Sequence, residues 1–140
     1  MAGELSDKGA DIGLDAIFGR ATQNSRTVYL ALLTAAPADA TTPATMTEYS
    51  ATGYARQTFT PNTPAASGGG ARRTSNNGAI TFGPLTGANG AVNITHAAIV
   101  SSSSGTGGDL VVFWTLDAAR TPNANDSVQV ADAAFTFDAD

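Results

Sequence analysis

Thr27-Val28-Tyr29-Leu30-Ala31-Leu32-Leu33-Thr34 decides the fold class. The stretch is rich in β-formers and apolar on both faces, the pattern of a strand in the middle of a sheet. Everything downstream continues as strand and loop. Tyr54 to Thr60 alternates, with Tyr54, Arg56 and Thr58 opposite Ala55, Gln57 and Phe59. Ala79 to Phe82 is short and framed by the turn signals Asn77-Gly78 and Gly83-Pro84. Val92, Ile94, His96, Ala98 and Val100 are expected on one face of the next strand. Leu110, Val112, Trp114 and Leu116 are expected on one face of the strand after it. Val128 and Val130 open a last stretch that ends at Phe135 and Phe137, and its parity changes, which predicts a bulge or strand break near Asp132 to Ala134. Six or seven strands at this spacing predict a mainly β fold, an antiparallel β-sandwich of jelly-roll or immunoglobulin size.

Upstream of that stretch lies the one helical pattern. Ala10, Leu14, Ile17, Phe18 and Ala21 share a stripe of period 3.6. Ser6 is the expected N-cap, with Asp7 and Asp11 at the positive end of the dipole, and Gly19-Arg20 suits the end. Burying Leu14, Ile17 and Phe18 would stabilise by about 1.5–3 kcal/mol each. The stripe therefore needs a surface, either in its own chain or on a partner. The expected organisation is an N-terminal arm and helix over residues 1–26 and a single β-sandwich domain over residues 27–140.

Composition narrows the function. The 140 residues include 27 alanines, and the charged fraction is 14%, against about 25% in ordinary globular domains. Seven basic residues face twelve acidic ones, a net charge of -5. Nucleic-acid binding needs the opposite sign, so no nucleic-acid partner is expected. The absence of cysteine excludes disulfides, thiolate zinc and cysteine nucleophiles. Met1 to Asp7 has neither a basic n-region nor an apolar h-region, and no apolar run reaches membrane-spanning length. No signal peptide and no membrane partner are expected, with synthesis in the cytoplasm.

No constellation predicts catalysis. His96 is the sole histidine, and Ser101 to Ser104 lie beyond its strand with no nucleophile elbow, so it reads as a strand histidine bonded to a neighbour. Glu48, Asp109, Asp117, Asp126, Asp132, Asp138 and Asp140 are scattered as a solvated acidic surface would be. Gly105-Thr106-Gly107-Gly108 precedes a strand, whereas pyrophosphate loops precede a helix. Asn123, Asn125 and Asp126 have calcium-compatible oxygens without the EF-hand order, and read as a turn. No cofactor and no metal are expected. The loops Ala35 to Thr52 and Pro61 to Asn77 are long enough to suggest function or ordering by a partner. Candidate partner-interface residues are Leu5, Leu14, Ile17 and Phe18 on the arm, Tyr49, Tyr54 and Arg56, and the basic pair Arg72-Arg73 in the second loop.

Thr27 to Pro37, Glu48-Tyr49, Gly53-Tyr54-Ala55-Arg56-Gln57, Ala79 to Phe82, Ile94 to Val100 and Asn123 to Val128 together carry a likeness. Over about residues 27 to 130 the chain resembles a family of small virion proteins of tailed bacteriophages, in which GYARQ is the most specific element. It departs from that pattern at Asn125, where glycine is frequent, and in the longer loop at 61–77. The resemblance implies a non-enzymatic virion structural protein. Lacking a shaft, heptads or repeats, the chain is expected to be a capsid decoration protein bound to the major capsid protein and to copies of itself, as a homo-oligomer such as a trimer. The alternative is a tail fibre or tail-tip module contacting other tail proteins or a host receptor. A lectin-like or carbohydrate-active sandwich is the reading from another class.

Overall fold

In the computed structural model, which describes residues 3–20, 26–68, 71–87 and 92–139, the TVYLALLT stretch forms β2 (Val28–Leu33). It lies between β3 (Gln57–Phe59) and β7 (Ile94–Val100) in an antiparallel five-stranded sheet. Beyond β7 come β8 (Leu110–Arg120) and the two-residue edge strand β1 (Glu4–Leu5). Both faces of β2 are covered. Leu30 and Leu32 enter the main core, while Ala31 and Leu33 enter a smaller cluster on the reverse face with Ala98, Val100, Leu110 and Phe113.

The second layer is made of two short sheets. One orders β10 (Thr136–Ala139), β5 (Ala71–Ser75) and β4 (Ala65–Gly68), and the other pairs β6 (Ile80–Phe82) with β9 (Val128–Val130). Ile80, Phe82, Val130 and Phe135 from this layer pack with Leu30, Leu32, Val112 and Trp114. Trp114 and Phe135 stand 4.9 Å apart between ring centroids, and the indole Nε1 donates to the Thr136 carbonyl at 2.8 Å. The expected mainly β, antiparallel class with one N-terminal helix is the class observed, with ten strands among the described residues.

Two predicted faces are corrected. In β7 the register shifts between Ile94 and His96, so Ile94 joins Ala97 and Ile99 in the main core while His96 keeps the parity of Ala98 and Val100. In β8 the partners of Ile99 and Val100 are Val112 and Leu110, which leaves Val111 as the extra residue. Leu110 therefore turns to the reverse face, away from Val112 and Trp114. The second is a one-residue bulge and the first a wider irregularity, with partners Arg120 and Thr115 five residues apart, and each flips the alternation. The expected break near Asp132 to Ala134 is a turn with Ala133 at φ 56°, where the chain passes from one short sheet to the other.

The two long loops are also ordered differently from expectation. Pro61 to Asn77 contains the β4–β5 hairpin, held on its outer side by β10. Its small and polar residues look like loop because pairing with distant β10, rather than local propensity, makes them strand. Ala35 to Thr52 folds through its own turns, Ala38 N to Thr41 Oγ1 and Met46 N to the Thr42 carbonyl, and returns at the Leu33–Glu48 bridge.

The helix α1 (Asp7–Ile17) starts as expected, with Ser6 Oγ accepting from Gly9 N at 3.0 Å. The same hydroxyl is buried against the Leu110 carbonyl of β8, and Ser6 N donates to the Val111 carbonyl. The surface it lies on is met by Gly9, not by the apolar stripe. A Cβ on Gly9 would come within 2.1 Å of Val111 O, so glycine permits this approach. Leu14, Ile17 and Phe18 are left 54%, 75% and 78% exposed. Ala21, the last residue of the predicted stripe, lies outside the described residues.

Candidate functional site

Gly53-Tyr54-Ala55-Arg56-Gln57 forms the most connected polar cluster. Gly53 has φ 90°, and a Cβ there would meet the Pro84 carbonyl oxygen at 2.1 Å, so both conformation and space require glycine. Tyr54 Oη accepts from Leu32 N at 3.0 Å and donates to Glu48 Oε1 at 2.8 Å. Arg56 Nε and Nη2 grip the two Glu48 oxygens at 2.9 and 2.7 Å. Its Nη1 donates to the Ser102 carbonyl and hydroxyl, and Nη2 also reaches the Gly105 carbonyl at 2.8 Å. All five N–H donors of the guanidinium are thereby used.

Burial first, and then the Glu48 charge, push the Tyr54 phenol far above its ordinary pKa, so it remains a donor. The Glu48 hydrogen bonds hold the Arg56 guanidinium charged. Beside the cluster is a recess of about 340 Å³ bordered by Glu48, Tyr49, Ser50, Ser103 and Ser104. The charges at its wall are turned toward each other. The arrangement is a clasp joining the start of β3, the β2 exit and the Ser101–Gly108 loop.

The sequence placed Tyr49, Tyr54 and Arg56 at an interface. The structure buries Tyr49 and Arg56 and half-buries Tyr54, and the hydrogen-bond partners of Tyr54 and Arg56 lie in this chain. Tyr49 packs edge-on against Tyr54, and its hydroxyl is buried without a hydrogen bond, which pushes its pKa up. Glu48, Ser102 and Gly105, the acceptors that complete the clasp, were not singled out by sequence as its members. They lie 8 to 49 residues from Arg56 in the chain, and no local spacing announces them.

Arg72 and Arg73 leave the predicted glycine loop for β5 and take opposite faces. Arg73 grips Asp138 of β10 through Nε and Nη2, both at 2.6 Å, which holds the carboxyl below its ordinary range. Arg72 donates to the Pro64 carbonyl and makes no ion pair among the described residues. The apolar arm residues behave differently again. Leu5, Leu14, Ile17 and Phe18 are all exposed, and Asp11, Leu14, Asp15 and Phe18 flank one shallow groove on the helix.

The remaining candidates have local duties. His96 Nδ1 bonds its neighbour Thr95 Oγ1 at 2.8 Å, and burial lowers its pKa. Asp126 Oδ2 accepts from Asn123 N in a turn where Asn125 has φ 71°. Asp132 accepts from Gly78 N, and Asp109 faces Arg26 at 3.8 Å. Asp140 lies outside the described residues. No three metal-ligating side chains converge among the described residues.

A family described as podophage GP4 fiber I protein gp80 matches the chain over residues 4–138. The chain belongs to that family, a group of bacteriophage virion structural proteins classed as fibres. The match extends beyond residues 27 to 130 at both ends and takes in β1, α1 and β10. No curated protein matches the chain. Among the described residues no helix is long and apolar enough to cross a membrane.

Proposed function

We propose that this member of the podophage fiber I family is a non-enzymatic fibre-type module of the virion, seated in the tail rather than on the head lattice. The observation that carries the reading is the family match over residues 4–138, whose description names a fibre. The structure supports a binding role over catalysis in one respect: its best-formed polar cluster joins the chain to itself. What faces outward instead is an apolar helix stripe held on the β body through Ser6 and Gly9. Such a stripe, at a size where exposed apolar patches mark interaction sites, is suited to attaching the module to a neighbour.

Copy number tests the position. Quantitative mass spectrometry of purified virions against the major capsid subunit is expected to give a few copies per hundred. A ratio of the same order as the capsid subunit would overturn the tail reading and return the chain to the head as a decoration protein. Sustained hydrolysis of host cell-wall glycan by the purified chain would overturn the non-enzymatic reading.

A further inference from the structure

We propose that the outward face of α1 docks onto a second copy of this chain, with Phe18 entering an apolar pocket between the two layers. The pocket encloses about 200 Å³ and is walled by Val28, Phe59, Thr74, Trp114, Phe135 and Phe137. That is more room than the roughly 150 Å³ sufficient for a benzene ring. The stripe cannot fill the pocket in its own chain, because Ser6 and Gly9 fix the helix on β8 with Leu14, Ile17 and Phe18 turned to solvent. Leu14, Ile17 and Phe18 form one outward apolar patch, the kind of surface that marks an interaction site.

Charge identifies the occupant as the chain itself. Arg72 lies on the same face of β5 as Thr74, two residues along, so about 7 Å from the pocket wall. It is exposed and has no ion pair among the described residues. On the helix, Asp11 lies seven residues before Phe18, about 10 Å along the axis on the same flank. It too makes no ion pair among the described residues, although Arg20 lies within its field. With Phe18 in the pocket of a second copy, the Arg72 side chain spans the remaining distance to Asp11. Donor face and pocket are different surfaces of one chain, so each copy can give and receive, closing a reciprocal pair or ring or running on as a chain.

The inference rests on the helix face being a docking surface and is independent of the position in the virion. Sedimentation of the full chain over a concentration series is expected to show reversible self-association. Phe18→Asp is expected to weaken it at least a hundredfold with an unchanged thermal transition. Asp11→Arg and Arg72→Asp should each weaken association about tenfold, and the double variant should restore it. Trp114, the sole tryptophan, lines the pocket, so its emission should shift on dilution in step with dissociation. A wild-type chain that is monomeric throughout would overturn the proposal, as would Phe18→Asp associating like wild type. A charge swap that restores nothing would overturn the Arg72–Asp11 contact. A monomer whose entry into virions still depends on Phe18 would assign the face to another virion protein and leave the copy-number test of the fibre reading untouched.

Discussion

Arg56 is almost wholly removed from water, yet each of its N–H groups meets an acceptor and its charge meets Glu48. Such a pair contributes little beyond an apolar replacement, but removal of one partner leaves the other charge uncompensated. Glu48→Ala is therefore expected to cost about 3 kcal/mol, the low end for buried pairs because Glu48 is itself partly exposed. Urea denaturation measures this, and hydrogen exchange should rise first in Ser101–Gly108, the loop that Arg56 holds. His96 supplies a pH dependence. Burial lowers its folded pKa, so its contribution is intact above the unfolded value of about 6.5 and declines as pH falls below it. His96→Gln should flatten the stability curve as pH falls below about 6.5; an unchanged slope there would assign the loss to other groups. Asp138, held low by Arg73, acts in a separate window, its contribution present above about pH 4 and lost as pH falls through the lowered folded value.

Among the elements, α1 shows most clearly which parts of a fold local sequence encodes. Its cap, length and end are local matters and are readable from Ser6, the stripe and Gly19. The face it buries is not, since that depends on Gly9 meeting the carbonyl exposed by the Val111 bulge a hundred residues away. The same distinction explains why β2 is legible and the β4–β5 hairpin is not: apolar content on both faces announces burial, whereas pairing with β10 leaves no local mark on Ala65 to Ser75. Likewise GYARQ is visible as a pattern, but its acceptors are dispersed in sequence. Gly9→Val is expected to lift the helix from β8, seen as rapid hydrogen exchange over residues 7–17 while the β2–β7 amides stay protected. Ser6→Ala should cost about 1 kcal/mol as a lost cap, with an added contribution from its place against Leu110.

At the scale of the whole molecule, two bulged strands and two short sheets enclose one main core, and the stripe on α1 remains outside it. Deleting residues 1–20 should therefore abolish incorporation into virions while leaving a cooperative thermal transition for the β body. A further consequence follows from the bond between Gly3 N and the Thr136 carbonyl, at 2.9 Å, which brings the first and last strands together. Tension applied between the two ends of the chain does not pull across the five-stranded sheet. It acts at the seam where β1 joins β8 through two residue pairs and touches β10, and those few bonds lie in series with the load. Under mechanical stress the arm peels away like the free end of a strap, and the sandwich behind it stays closed.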